Sequence, residues 1–418
     1  MRKTEEEKTR SIPVTELMVW NAYKKVKANR GSAGIDSVSL EEFEADKLKQ
    51  LYKIWNRLSS GSYFPPSVRA VEIPKKDGSK RTLGIPTVGD RVAQQVIKSY
   101  LEPRLEKCFH QNSYGYRPLK SAHQAVAAVR ENVRYYPWVV DIDISKFFDK
   151  MSHELLMKAL DVHVEEPWVK MYIQRWLEAP TESKDGQQAS KEGMGTPQGG
   201  VISPLLANLF LHYVLDRWLD KAYPRLSFAR YADDIVIHCF SEEEAREVLD
   251  KVKARLESCK LSVNEKKTKL VYCQNYRREK QDYPVKFDFL GFSFQPRMRP
   301  SYKGGVYLSY DCAISSDSEK RIVETIRQSH FQRRSNATLE EIASEFNPRI
   351  RGWVNYYGKF MKHKLDRIFR RFRFHLMKWV LNRYKSFKTS KRKAYNWIKE
   401  QKKQKPNLFY HWQVLKVI

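Results

Sequence analysis

Cysteine is scarce and scattered in this chain of 418 residues. There are five, Cys108, Cys239, Cys259, Cys273 and Cys312, with no C-x-x-C pair among them. An odd, dispersed set argues against a disulfide framework and a structural zinc site, and fits a reduced compartment. The ten histidines show no H-E-x-x-H or other paired spacing, so the common zinc-hydrolase pattern is missing too. No apolar run approaches the ~20 residues of a transmembrane helix, and no lipidation motif is visible. The stretch from Met1 to Arg10 is charged, with Glu5, Glu6 and Glu7 together, which argues against both a signal peptide and a transit peptide. A cytoplasmic protein without membrane engagement is expected. Acids are also in short supply: 49 Asp and Glu face 77 Lys and Arg, a net charge of +28. That imbalance points to a polyanionic partner, most commonly nucleic acid, with an anionic membrane surface as the alternative.

The length allows two or three domains, and an apolar content of 41% is enough to fold most of the chain. The charge is uneven. From Arg351 to Ile418 there are 20 Lys or Arg and 2 acids, interleaved with 15 aromatic residues, so this segment carries +18 of the +28. Helical spacing there makes one face apolar and another basic, with cations for phosphates and aromatics for a core or for unpaired bases.

Periodicity predicts helices over about 15–30, 39–59, 90–101 and 242–259. Residues 68–73 and 82–85 read as strands around a hairpin turn at Lys76-Asp77-Gly78. Ser203, followed by Pro204, reads as a helix cap. Strands are expected over 138–144, 228–231, 235–240 and 287–294. A Pro, Gly, Ser and Asp cluster near 300–317 reads as a boundary, after which the pattern is helical.

Two acidic features stand out within apolar strands. Tyr231-Ala232-Asp233-Asp234 places adjacent carboxylates at a strand tip, where like charges repel and the flanks are poor in water. Alone, the pair is also what an ordinary hairpin turn contains. Asp141 and Asp143 lie two apart, so both leave one face of their strand, beside Trp138-Val139-Val140. An edge strand or a salt bridge would account for them individually. Two carboxylate strands in one basic chain suit divalent metal, which relieves such repulsion, and phosphoryl transfer on nucleic acid.

With these residues in place, the chain resembles the bacterial group II intron reverse transcriptase/maturase family over nearly its whole length. The motifs appear in the family's order: 31-GSAGID-36, 71-VEIPK-75, 81-RTLGIP-86, 113-SYGYRP-118, 140-VDIDISKFFD-149, 195-GTPQGG-200, 230-RYADD-234, 263-VNEKKT-268, 289-FLGF-292 and 350-IRGWVNYY-357. The resemblance implies an α+β fold: a right-hand polymerase with fingers, a palm carrying an antiparallel sheet, and a helical thumb/maturase domain. It divides the chain into an N-terminal extension (1–60), fingers and palm (61–300) and thumb/maturase (301–418). The family's DNA endonuclease domain is expected to be missing, since no Cys-pair or His-Asn-His arrangement follows the last motif.

By motif position, the resemblance implies that Asp143, Asp233 and Asp234 are the catalytic and metal-binding carboxylates. Asp143 is preferred over Asp141 because the sugar-gate aromatic, Phe148, lies five residues beyond it. Two Mg²⁺ ions are implied, with Mn²⁺ as a substitute. Lys75, Arg81, Phe148, Gln198, Asn208 and Lys267 would face the deoxynucleoside triphosphate, and Gly291 the primer strand. Arg367, Arg370, Arg371, Arg373, Lys391, Arg392 and Lys393 would contact nucleic acid. The activity implied is RNA-directed DNA polymerisation onto a primer 3′-hydroxyl. An RNA template, a DNA primer and group II intron RNA are the partners, the last bound to assist splicing and mobility. Two alternatives stay open at this stage: a host-recruited relative in phage defence or DNA repair, and an RNA-binding splicing cofactor with an idle polymerase. Oligomeric state is not legible.

Overall fold

The computed structural model describes residues 12–74, 80–302, 304–387 and 389–415. The chain opens with three helices, α1 (Glu16–Asn29), α2 (Leu40–Ala45) and α3 (Lys47–Ser59). Thr15 caps α1, and Ser39 with Glu42 closes a reciprocal capping box on α2. The single helix expected over 39–59 breaks at Asp46, whose backbone (φ −118°, ψ 29°) leaves the helical region. Strands β1 (Val68–Pro74) and β2 (Lys80–Ile85) then pair antiparallel, from Arg69 opposite Ile85 to Pro74 opposite Lys80. The expected turn between them, with Lys75 on it, lies outside the described residues.

Helix α4 (Val88–Leu105) is capped by Thr87, and α5 (Ala122–Asn132), β3 (Trp138–Asp143), α6 (Phe147–Lys150), α7 (His153–Asp161) and α8 (Pro167–Glu178) follow. Two short strands, β4 (Thr181–Glu182) and β5 (Gln188–Ala189), extend the first sheet in the order β2-β1-β4-β5, with β4 parallel to β1. Helix α9 (Ser203–Leu211) runs through a π-helical turn, His212–Asp216, into α10 (Arg217–Ala222). Ser203 is the first residue of α9 rather than its cap; Ile202 holds that position, and the Ser203 hydroxyl bonds Thr196 Oγ1 at 2.9 Å.

Strands β6 (Ser227–Tyr231) and β7 (Asp234–Cys239), helix α11 (Glu242–Ser258) and strand β8 (Lys269–Tyr272) complete a second sheet in the order β6-β7-β3-β8. The third sheet is antiparallel, from β9 (Phe287–Phe289), β10 (Phe292–Pro300) and β11 (Val306–Ile314). The one strand expected over 287–294 is therefore two, separated by Leu290 and Gly291, both in left-handed conformation. Pro300, Gly304 and Gly305 of the Pro and Gly cluster lie at the tip of a long hairpin, with Phe292 opposite Ile314 and Pro300 opposite Val306. Helices α12 (Ser316–Gln328), α13 (Leu339–Met361), α14 (Asp366–Arg383), α15 (Lys391–Gln404) and α16 (Tyr410–Val414) end the chain. The fold class is α+β, with mainly antiparallel sheets followed by an all-helical region.

Two compact units interleave along the sequence. One comprises the chain up to Ser121 with Ile142–Ile237 and Arg246–Thr268; the other comprises Ala122–Asp141, His238–Ala245 and Lys269 onward. In the first, α4 and α9 bury Val92, Ile97, Leu101, Leu206 and Leu209. In the second, the C-terminal helices close a core around Phe331, Phe346, Phe372 and Trp379, so Phe372 and Trp379 of the basic tail are core side chains. Among the described residues, no helix is long and apolar enough to cross a membrane.

Candidate active site

The first carboxylate sits at the end of β3. Burial alternates there, with Val140 and Ile142 buried and Asp141 and Asp143 half-buried, so the two aspartates share a face as their spacing predicts. The other two sit at the β6–β7 tip. Ala232 turns the chain with φ 56°, a left-handed conformation that is uncommon outside glycine and costs free energy unless the surroundings enforce it.

What enforces it is a buried polar network. Arg230, fully buried, donates Nε and one terminal nitrogen to the two oxygens of Asp216 at 2.7 and 2.6 Å. Its remaining nitrogen donates to Asn208 Oδ1 at 3.0 Å and to the Ala232 carbonyl at 3.2 Å. The Asn208 amide nitrogen in turn donates to the Gly115 carbonyl at 2.7 Å. Gly115 lies so close to the turn that an added Cβ would sit 2.5 Å from the Ala232 nitrogen, so only glycine fits. The π turn matters to this geometry. Eight residues of regular α-helix would leave Asn208 and Asp216 about 80° apart around the axis. The wider turn at His212–Asp216 removes most of that offset, and both reach one guanidinium.

The carboxylates themselves are strained electrostatically. Asp234 is open to solvent at its tip, yet the protein around it strips hydration from the charged form; with Asp233 and Asp143 nearby, its carboxyl is pushed up to about 7. Asp233 is raised in the same direction, first by burial and then by Asp143. Lys267 opposes the repulsion: its Nζ lies 3.5 Å from Asp143 Oδ2. The loop carrying Lys267 is tied to Asp143 through the backbone, since the Asn264 N–H donates to the Asp143 carbonyl at 2.7 Å. Thr268 Oγ1 accepts from the Asp143 N–H at 3.4 Å. Among the described residues, no three His, Cys, Asp or Glu side chains are gathered as a closed metal cage. The hard oxygen donors and their mutual repulsion nonetheless suit a divalent cation whose coordination is completed by water and phosphate.

Around the aspartates, Arg81 on β2 donates its Nε to the Gln198 side-chain oxygen, and Gly84 N–H donates to the Gln198 carbonyl at 2.7 Å. The Thr-Pro-Gln-Gly-Gly loop therefore docks on β2, and Gly199 serves that approach: an added Cβ would fall 2.4 Å from the Gly84 carbonyl. From behind, Gln94 Oε1 accepts the N–H groups of Val201 and Ile202 at 2.7 and 3.2 Å. Phe148 is largely buried against Phe147, with an edge-on ring contact at 5.2 Å. Asn208 is 1% exposed, with its side-chain oxygen and nitrogen both bonded inside the protein, so it holds the turn.

The remaining expected residues lie in the second unit. Gly291 adopts φ 78°, where a side chain would meet Ser318 and Tyr357. Of the expected nucleic-acid contacts, Arg367, Arg370, Arg371, Lys391, Arg392 and Lys393 are exposed. Arg373 is half-buried with its guanidinium over the Tyr395 ring at 5.1 Å. Arg230, Asp216 and Gln94 went unread in the sequence. A buried Arg looks like any surface Arg until its partners are known, and Arg230 standing in the Tyr-Ala-Asp-Asp motif was the only hint.

The family described as "Reverse transcriptase (RNA-dependent DNA polymerase)" matches residues 73–294, and that described as "Group II intron, maturase-specific domain" matches 319–397. Protein YkfC of Escherichia coli (strain K12) is 32% identical over 274 residues, covering 57% of this chain and 71% of that protein. Group II intron-encoded protein LtrA of Lactococcus lactis subsp. cremoris is 30% identical over 267 residues, covering 63% of this chain and 42% of that protein. Among solved structures, telomerase from Candida albicans with a telomeric RNA fragment aligns at a TM-score of 0.45 and 13% identity, over 88% of this chain and 69% of that chain.

Proposed function

Given that the chain belongs to the reverse transcriptase (RNA-dependent DNA polymerase) family and carries a group II intron maturase-specific domain, we propose that it copies RNA into DNA and binds intron RNA to assist splicing. The observation that carries this reading is the meeting of Asp143, Asp233 and Asp234 in one electrostatic field, with the carboxyl of Asp234 raised to about 7. Such a set of acids is unfavourable alone and becomes favourable around divalent metal.

The three aspartates would hold two Mg²⁺ ions, with Mn²⁺ as a substitute. Bound metal would lower the pKa of the primer 3′-hydroxyl and take up charge on the departing pyrophosphate. The chain's own residues supply positioning. Arg81 offers a forked donor for triphosphate oxygens, and Gln198, already bonded to it, sets its direction. Lys75, which lies outside the described residues, would add a second cation for the triphosphate. Phe148, backed by Phe147, would stand where a ribose 2′-hydroxyl must pass. Lys267 would offset the charge of Asp143 and lend charge to the nucleotide side. Gly291, by its left-handed backbone, would let the primer strand approach closely. The exposed cations of α14 and α15 would hold template, primer and intron RNA.

The test is primer extension by the full chain on an RNA template. Synthesis should require Mg²⁺ or Mn²⁺ and fall to background in Asp233→Asn; full activity in that variant would sink the assignment. Splicing assistance is checked separately, by whether the chain and its Asp233→Asn form equally accelerate self-splicing of the intron flanking its reading frame.

A further inference from the structure

Apart from the aspartates, the second unit contains a cavity of about 480 Å³ between the β10–β11 hairpin and the first turns of α12 and α14. Its wall is unusual in three respects. Four cations line it, Arg297, Lys364, Arg367 and Arg370, against two acids, Glu319 and Asp366. Glu319 is already engaged, accepting from Arg367 Nε at 3.2 Å. Two long helices, α12 and α14, begin in this wall, with Ser316 and Asp366. Finally, Ser293 lines the cavity at 3% exposure, and its hydroxyl has no hydrogen-bond partner. A buried unpaired hydroxyl costs free energy unless something bonds it.

Arg297 is fixed for reception. Its Nε donates to the Asp311 carbonyl at 3.2 Å and one terminal nitrogen to the Ser293 carbonyl at 3.1 Å, which pins the guanidinium beside the unpaired hydroxyl. Burial lowers its pKa, the sign of a cation held where water is thin. A pinned arginine, an unpaired buried hydroxyl and the cations Lys364 and Arg370 leave the wall with more donors than the acids Glu319 and Asp366 can match. We propose that this cavity binds a phosphate group, carried by a bound RNA strand or by a free nucleotide. Arg370 and Arg371 on the same helix continue the positive surface outward. The strand form rests on the RNA-binding reading of the C-terminal helices; the nucleotide form does not.

Lysine acylation of the full chain, quantified by mass spectrometry, locates the ligand. Lys364 reports on the cavity, and Lys378 on the same helix serves as internal control. Inorganic phosphate, AMP and a single-stranded RNA are added in separate arms. At least one should protect Lys364 several-fold relative to Lys378. Arg370→Gln should weaken that protection roughly tenfold, the loss expected for a charge-assisted hydrogen bond. Ser293→Ala, which removes only the unpaired hydroxyl, should weaken it several-fold without lowering the melting temperature. Protection by phosphate or AMP assigns a free ligand; protection by RNA alone that depends on Ser293 assigns a strand phosphate. Lys364 labelled equally in all arms, or protected equally in wild type, Ser293→Ala and Arg370→Gln, overturns the proposal. Asp233→Asn should keep the protection while losing synthesis, so failure of the cavity and failure of the polymerase reading remain distinguishable.

Discussion

At Asp234 a single carboxyl carries opposing demands. Its ordinary value is 3.8, and the fold moves it to about 7 by desolvation and by the neighbouring Asp233 and Asp143. A raised acid stabilises the fold fully below 3.8, and that contribution is lost as pH climbs to about 7. Above that point the ionised side chain opposes folding until a cation binds. Asp234→Asn should therefore raise the melting temperature of metal-free protein at pH 8, by roughly 2–4 °C for each kcal/mol relieved, and leave it unchanged near pH 3.5. Adding Mg²⁺ at pH 8 should stabilise the wild type and close the gap. A gap that persists with metal would separate this carboxylate from any cation. Phe148 makes a second residue-scale prediction. Its ring is held at 8% exposure, so Phe148→Val keeps most of the packing while removing the edge that would meet a 2′-hydroxyl. Ribonucleotide incorporation should rise relative to deoxynucleotide incorporation, and unchanged sugar selectivity would remove Phe148 from the gate.

At the scale of elements, the β6–β7 tip and the α9–α10 helix act together. The π turn aims Asp216 and Asn208 at Arg230, and Arg230 holds the left-handed Ala232. Removing one partner leaves an uncompensated buried charge, so Arg230→Ala or Asp216→Ala should cost about 3–5 kcal/mol in denaturant unfolding. Replacing both, as Asp216→Leu with Arg230→Met, should recover much of that stability. Activity should not return with it, because the Ala232 carbonyl would still lack its donor and the carboxylates their alignment. Recovery of both together would make the network a packing feature only. The Tyr-Ala-Asp-Asp motif was legible because adjacent acids between apolar strands violate local expectation. Its support was not, since Gly115, Asn208, Asp216 and Arg230 meet only after the chain has folded back on itself.

For the whole molecule, charge distribution decides the partner. Among the described residues of the last 68, most cations are exposed around a core that takes in Phe369, Phe372, Trp379, Phe409 and Trp412, so these rings are unavailable for stacking on bases. Neutralising Arg371, Lys391, Arg392 and Lys393 together should flatten the salt dependence of single-stranded RNA binding by about 0.7 in slope for each phosphate no longer neutralised. An unaltered slope would place the RNA grip elsewhere. The sequence by itself determined the chemistry of this protein. Strand alternation put Asp141 and Asp143 on one face, the ordered motifs singled out Asp143, Asp233 and Asp234 as candidate polymerase carboxylates, and composition pointed to a polyanionic partner. All of these depend on side-chain identity and short-range periodicity. Only the tertiary structure decided which groups are free to meet a ligand. Asn208 is withdrawn into the protein, Gly199 serves β2, and Ser293 is left without a partner beside a cationic cavity. Burial and hydrogen-bond pairing are properties of segments distant in the chain, and no local pattern of residues records them.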